Sequence, residues 1–98
     1  MTVRKTKTEG KLIISPEGRL DTLTAPEFEK ELKGSLDGVT SLVVDLEKLD
    51  YISSAGLRVL LSAQKAMNAQ GDMKICNANE TITEIFEVTG FSDILTVE

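Results

Sequence analysis

The first twenty residues alternate polar positions with short apolar runs, a pattern typical of β-strands. Thr2–Thr8 carries one aliphatic residue among charged and hydroxyl side chains, which predicts a polar edge strand. A two-residue turn at Glu9-Gly10 then leads into Lys11–Glu17, a second strand with three aliphatic residues at its centre. Pro16 has no amide hydrogen, so this strand must end there, bulge, or turn that side to solvent.

Further along, apolar residues at three- and four-residue steps predict three helices. The first begins at Thr24-Ala25-Pro26-Glu27, which has the sequence of a capping box, and its apolar face continues to Leu36. The second, Ser54–Gln70, has the longest helical pattern in the chain. The third is capped by Asn79 and closed by Gly90 in a left-handed conformation.

The remaining apolar segments predict further strands. Ser41–Leu46 is typical of a strand buried on both faces, and Met73–Cys76 of another short strand, while Ile94–Val97 is a final strand or a docked tail. Strands that alternate with helices predict an α/β fold, with a mixed, mostly parallel β-sheet covered by α-helices. With 98 residues, we expect one domain over residues 1–98.

Composition removes several classes of function. The chain has no histidine, so a Ser-His triad, a histidine general base and a histidine zinc site cannot form within it. Its single cysteine, Cys76, excludes disulfides and multi-cysteine metal sites and suggests a reducing compartment; we expect it to be an unreactive core residue. Asp45 is expected to bond the following loop and not a metal. We therefore predict no metal and no cofactor.

Charge and hydropathy indicate a cytoplasmic protein that binds other proteins. No apolar run approaches the length of a membrane span, and residues 1–10 are too charged for a signal peptide. Residues 1–74 contain 11 acidic and 11 basic residues, whereas residues 75–98 contain five acidic and no basic ones. Because an acidic segment repels phosphate backbones, we expect a protein partner and neither nucleic acid nor direct membrane insertion.

The segment Asp50–Leu57 is the best candidate for a functional site. It joins a buried strand to the longest predicted helix, at the strand end where ligands gather in such folds. A Ser53-Ser54 pair at the helix start would expose hydroxyls beside unpaired N–H groups, and Ala55 and Gly56 would leave the first turn open to a partner. An ordinary serine cap with small packing residues explains the same sequence, and composition alone favours that simpler interpretation.

Several segments together resemble the STAS family, the sulfate-transporter and anti-sigma-factor-antagonist domains. The resemblance covers about Lys11 to Leu95, with the segments in the order and spacing of the family. It is carried by Gly18-Arg19-Leu20-Asp21, Thr24-Ala25-Pro26-Glu27-Phe28, Leu42-Val43-Val44-Asp45-Leu46, Ile52-Ser53-Ser54-Ala55-Gly56-Leu57 and Val88-Thr89-Gly90-Phe91.

The resemblance implies a phosphorylation site. In stand-alone bacterial members, a kinase that is also an anti-sigma factor phosphorylates the serine of a Ser-x-Gly motif, which here is Ser54. The family often has Asp before that serine; this chain has Ser53, which makes Ser53 the second choice. The surface that binds the partner is then expected to comprise Asp21, Thr22, Ser53, Ser54, Ala55, Gly56 and Arg58.

The residue chemistry agrees with a serine that is a substrate and not a catalyst. A serine hydroxyl needs a base, and neither a histidine nor a nearby lysine supplies one. No Gly-rich Lys-Ser/Thr phosphate loop is present, so the ATP should belong to the partner. Together with this chemistry, the resemblance implies a non-enzymatic anti-sigma factor antagonist: unmodified, it captures the anti-sigma factor and frees the sigma factor, and phosphorylation weakens binding.

The resemblance also implies the kinds of partner. The kinase would be a serine kinase of the histidine-kinase-like ATPase type, and a metal-dependent serine phosphatase would reset the switch. One alternative is a non-catalytic STAS scaffold or docking subunit in a membrane lipid-transport or stressosome-like complex. Another, a small nucleotide-binding enzyme, is disfavoured because the chain lacks a base and a phosphate loop.

Overall fold

Five strands and three helices make up the computed structural model, which describes all residues from 1 to 98. The strands are β1 (Thr2–Thr8), β2 (Lys11–Leu20), β3 (Ser41–Asp45), β4 (Leu49–Ile52) and β5 (Asp72–Cys76). The helices are α1 (Ala25–Lys33), α2 (Ser54–Asn68) and α3 (Glu80–Thr89), and a 3-10 turn (Phe91–Asp93) follows α3.

The sheet has the strand order β1-β2-β3-β5, and β4 pairs with the far end of β2. Only the β1–β2 pair is antiparallel; β2–β3, β2–β4 and β3–β5 are all parallel. The predicted α/β class with a mixed, mostly parallel sheet is therefore confirmed. The hairpin turn is also where the sequence predicts it, since Glu9 (φ 43°) and Gly10 (φ 84°) both adopt the positive φ of a two-residue turn.

Strand β2 is longer than predicted because it changes parallel partners along its length. It pairs with β3 as far as Ile14 and with β4 from Gly18 onward. Pro16 lies between these two stretches, where no parallel neighbour requires an amide hydrogen. The register shifts between Gly18 and Arg19, and the strand then continues to Leu20.

Helices α1 and α2 pack on one face of the sheet. Leu42 and Val44 of β3 are fully buried on that face, whereas Val43, between them, is only partly buried. The prediction that this strand is buried on both faces is therefore wrong for the second face. The buried side chains form one core of 23 apolar residues, to which all three helices contribute.

The helix ends match the predicted ends where a neighbouring residue caps the helix. Asn79 accepts a hydrogen bond from the Ile82 amide at 2.8 Å, and Gly90 is left-handed at φ 80°, so both predicted boundaries of α3 are confirmed. Helix α2 ends two residues earlier than predicted, where the backbone tightens: the Ala69 and Gln70 amides donate to the carbonyls three residues back. The Gln70 side chain donates to the carbonyls of Leu36 (2.7 Å) and Val39 (2.6 Å).

Strand β4 and the C-terminal tail lie at the margins of the sheet, and the sequence does not fully predict either of them. Strand β4 is not predicted by the sequence pattern, which has Asp50 and Tyr51 at its centre. The C-terminal tail forms a single isolated parallel bridge between Val97 and Ile75 while Leu95 is buried, so of the two predicted alternatives it is a docked tail and not a strand. No helix of the chain is both long and apolar enough to cross a membrane.

Cys76 is not a core residue, contrary to the prediction. It lies at the end of β5 on the face without helices and is partly exposed. Burial, followed by the nearby carboxylates of Asp45, Glu98 and Glu47, raises the pKa of its thiol. Because the thiolate is the reactive form, this environment makes the cysteine a poor nucleophile despite its exposure.

Candidate functional site

The ends of β2 and β4 bring the two predicted parts of the site together. Leu20 and Ile52 are paired across these parallel strands, and the Leu20 carbonyl accepts a hydrogen bond from the Ser53 amide at 2.8 Å. The loop that begins at Asp21 and the helix that begins at Ser54 therefore leave the sheet at the same edge. The partner surface predicted from the STAS resemblance, which includes Asp21, Thr22 and Ser54, requires this juxtaposition.

The two serines at the start of α2 have different environments. Ser54 is the first residue of the helix and is exposed. Ser53 precedes it in an extended conformation (φ −98°, ψ 177°), and its hydroxyl oxygen is buried without a hydrogen-bond partner. Only Ser54 therefore offers its hydroxyl to an outside enzyme.

The start of α2 is also electrostatically suited to a negative charge. No side chain caps the helix, and its first turn contains no acidic residue. The amide groups of a first turn have no partners within the helix, and in a helix of 15 residues the aligned peptide dipoles add a partial positive charge there. A phosphoryl group on Ser54 would lie in this favourable field.

Gly56 has a structural role and does not lie on the accessible surface. A Cβ atom there would be 2.7 Å from Cγ1 of Ile52 and 2.8 Å from Cγ of Leu20, so the helix start is pressed against the ends of β4 and β2. Gly56 is buried and Ala55 is partly buried. The expectation that Gly56 leaves the first turn open to a partner is thus wrong, because its bare side faces the core.

The loop after β2 is held by the Asp21 carboxylate. Its Oδ1 accepts hydrogen bonds from the amides of Leu23 (3.0 Å) and Thr24 (3.1 Å). The Thr24 hydroxyl donates to the Arg19 carbonyl at 2.7 Å and accepts from the Asp21 amide at 2.9 Å. Thr24 therefore closes the loop and does not cap α1 with its side chain, which corrects the predicted capping box.

The hydrogen bonds to the Asp21 carboxylate also lower its pKa. The Thr24 amide is the largest cause that lowers the pKa of the Asp21 carboxyl, and the Leu23 amide, the Thr24 hydroxyl and the Arg19 charge add to it. The carboxylate therefore contributes stability above the ordinary pKa of 3.8, and this contribution is lost as the pH falls through the lower folded value.

We expect the amide resonances of Leu23 and Thr24 to titrate together, with a midpoint below 3.8, in an NMR pH series. The Asp21→Asn variant, which keeps an oxygen acceptor but cannot ionise, should remove this transition while the rest of the spectrum stays the same. A midpoint at or above 3.8 in the wild type would contradict the assigned bonds.

Sequence reasoning missed Leu23, which is 88% exposed and is the most exposed large hydrophobic residue of the chain. It lies between Asp21 and α1, and Thr22 beside it is also exposed. The available signal was an aliphatic residue inside a run of turn-forming polar residues, out of phase with the buried face of α1.

Basic groups flank the site on both sides. Arg58, one helical turn after Ser54, is exposed and makes no ion pair or side-chain hydrogen bond. Arg19 is stacked on the Tyr51 ring, 4.5 Å from its centroid, across the β2–β4 pair. Arg58 is therefore free for an acidic group of a partner, whereas Arg19 already has a contact within the chain.

The site is a surface and not a cavity. None of the three surface clefts, of about 230 to 490 Å³, is lined by Ser53, Ser54 or Asp21. Asp45 accepts hydrogen bonds from the Glu47 amide and the Asn77 side chain, both at 3.0 Å, as expected for a residue that ties a strand end to its loop. No group of three or more His, Cys, Asp or Glu residues could hold a metal ion.

Comparison of the sequence with known proteins gives consistent results. The STAS domain model matches residues 2–98. BtrV of Bordetella bronchiseptica, provisionally named an anti-sigma factor antagonist, is 39% identical over 99 residues, which cover 99% of this chain and 85% of that protein. The anti-sigma-B factor antagonist of Staphylococcus aureus is 34% identical over 82 residues, which cover 82% of this chain and 76% of that protein.

Solved structures show the same fold. An anti-sigma factor antagonist from Mycobacterium paratuberculosis superimposes with a TM-score of 0.89 at 21% identity, covering 98% of this chain and 83% of that one. The Bacillus cell fate determinant SpoIIAA in its phosphorylated form superimposes with a TM-score of 0.76 at 18% identity, covering 99% of this chain and 91% of that one.

Proposed function

The chain belongs to the STAS domain family, and we propose that it is an anti-sigma factor antagonist that phosphorylation of Ser54 switches off. The proteins it matches at 39% and 34% identity are named as antagonists, and the chain is accordingly a non-catalytic regulatory protein. In its unmodified form it binds an anti-sigma factor that is also a serine kinase, and the bound kinase releases its sigma factor.

The observation that carries the proposal is the exposed hydroxyl of Ser54 at the start of α2, beside the buried hydroxyl of Ser53. Serine itself is a poor nucleophile at neutral pH, and no histidine in the chain can activate it. A kinase supplies the components that this surface lacks for phosphoryl transfer to the Ser54 hydroxyl: a carboxylate base, magnesium and ATP. One solved relative, SpoIIAA, is itself known in a phosphorylated form, which supports this chemistry.

The phosphoryl group acts on the interface and not on the fold. Within the chain, about two negative charges at the uncapped start of α2 are favourable by about 1 kcal/mol, so the modified protein stays folded. At a protein interface, an unpaired buried charge costs about 3–5 kcal/mol, or about a hundred- to several-thousandfold in affinity. Because the interface term is larger, phosphorylation releases the partner.

The partners that we propose are those that the resemblance to the family implies. The kinase is of the histidine-kinase-like ATPase type, and a metal-dependent serine phosphatase returns the protein to its binding form. The surface formed by Asp21, Thr22, Ser54, Ala55 and Arg58 is the contact region for both enzymes. Ser53 offers no free polar group to this region, because its amide donates to the Leu20 carbonyl and its hydroxyl oxygen is buried.

Phosphosite mapping tests the proposal. The protein is incubated with ATP and a serine kinase recovered from its native host on the immobilised protein, and the product is analysed by mass spectrometry. We expect one phosphoryl group, on Ser54. Ser53→Ala should still be phosphorylated and Ser54→Ala should not, because only the Ser54 hydroxyl is accessible. Unmodified wild-type protein, or phosphate on Ser53, would overturn the proposal.

A further inference from the structure

The loop that follows β2 presents one leucine to solvent in a fixed position. Leu23 is 88% exposed, although the backbone around it is tied down on both sides. Asp21 Oδ1 accepts from the amides of Leu23 and Thr24, and the Thr24 hydroxyl donates to the Arg19 carbonyl. The residue is therefore held in place by its neighbours while its own side chain contributes little to the core.

We propose that Leu23 is the apolar anchor of the partner surface and inserts into an apolar pocket of the anti-sigma factor kinase. This inference rests on the proposed function and adds the chemistry of the contact. Single exposed aliphatic residues are ordinary on protein surfaces, so exposure alone carries little weight. Position and rigidity distinguish Leu23 from the other exposed apolar residues, Val88 (79%) and Ile94 (53%), which lie in the C-terminal quarter.

The position of Leu23 follows from the reach of the chain. Leu20 is bonded to Ser53, and Leu23 is three residues later, so the Cα atoms of Leu20 and Leu23 are at most about 11 Å apart. A protein interface of ordinary size covers about 800 Å² on each partner, a disc about 16 Å in radius. Ser54 follows two residues after Ile52, which pairs with Leu20 about 5 Å away, so the Cα atoms of Ser54 and Leu23 are at most about 23 Å apart. A kinase whose footprint is centred between Ser54 and Leu23 therefore covers both.

The rigidity of the loop adds to affinity. An anchor that is already fixed loses little conformational freedom when it binds, so more of the burial free energy appears as affinity. The groups around Leu23 are polar, which matches an apolar pocket with a hydrogen-bonding rim. One leucine is too small an apolar patch for a stable dimer of this chain, so the occupant is the regulated partner and not a second copy.

The test compares Leu23→Ala with Val88→Ala, a matched truncation of an exposed aliphatic residue outside the site. Phosphorylation of Ser54 is followed at varied protein concentration with the serine kinase that modifies the wild type. For Leu23→Ala we expect KM to rise about ten- to hundredfold with kcat unchanged, since burial of a leucine is lost but the reacting groups are not. Val88→Ala should stay within about twofold of the wild type.

Other outcomes separate this inference from the proposed function. A KM for Leu23→Ala equal to that of the wild type, with Ser54 still phosphorylated, would overturn the anchor and leave the switch intact. A Leu23→Ala effect on self-association in sedimentation, without an effect on KM, would also overturn it. If the kinase does not modify wild-type Ser54 at all, the proposed function fails and the anchor fails with it.

Discussion

Ser54→Asp is expected to bind the anti-sigma factor kinase about a hundred- to several-thousandfold more weakly than the wild type in titration calorimetry. The substitution places a permanent charge where the unmodified protein presents a neutral hydroxyl that the partner surrounds. In the kinase site this position faces the carboxylate base and the γ-phosphate of ATP, so the added carboxylate meets like charges and is buried unpaired. Phosphorylated wild-type protein should lose affinity at least as strongly, since it carries about two charges.

The loss of binding should not come from unfolding. An acidic side chain in the first turn of a helix is stabilising by about 0.3–1 kcal/mol, so Ser54→Asp should unfold at the same or a slightly higher denaturant concentration than the wild type. Ser92→Asp makes the same change at an exposed serine in the 3-10 turn after α3, and it should bind normally. A Ser54→Asp variant that binds as tightly as the wild type would refute the electrostatic switch.

The parts of the fold that the sequence predicts are those that local interactions determine. Helix α3 begins with the Asn79 cap and ends at the left-handed Gly90, and both are properties of adjacent residues. The β1–β2 hairpin depends in the same way on two turn residues with positive φ.

The sequence predictions are wrong where a residue distant along the chain determines the local structure. Strand β4 forms by pairing in parallel with the end of β2. The local sequence around Asp50 and Tyr51 does not indicate this distant partner. Thr24 has the spacing of a capping box, yet its hydroxyl is used by the Arg19 carbonyl across the loop.

The candidate site shows the same division. The motif alone indicates Ser54, and the structure adds only that its hydroxyl is the accessible one. The difference between Ser53 and Ser54, the exposure of Leu23 and the burial of Gly56 all depend on how β2 and β4 end beside α2. This arrangement cannot be predicted from a single sequence, because local patterns do not indicate which strand ends are neighbours in the sheet.

Gly56 is the position where a small change should disturb both the fold and the site. An added Cβ would lie 2.7 Å from Cγ1 of Ile52 and within 2.9 Å of two atoms of Leu20, and both side chains are fully buried. Such overpacking lowers the free energy of unfolding by about 1–3 kcal/mol, and the better helix propensity of alanine offsets at most about 1 kcal/mol of this loss. We therefore expect Gly56→Ala to lower the free energy of unfolding by about 1–2 kcal/mol in urea titration, and Gly56→Val by about 3 kcal/mol or more.

A double-mutant cycle assigns the loss to this contact. Leu20→Ala removes the two Leu20 atoms nearest to the added Cβ, so Gly56→Ala should cost less in the Leu20→Ala background than in the wild type. Equal costs in both backgrounds would mean that α2 does not press on the end of β2 as described. Where the variant is folded, the clash is relieved by shifts of the buried Ile52 and Leu20 side chains and of the start of α2, and Ser54 moves with the helix start. Phosphorylation of Ser54 in Gly56→Ala should therefore fall by more than the folded fraction does, because the helix that holds the hydroxyl has shifted relative to the loop that holds Leu23.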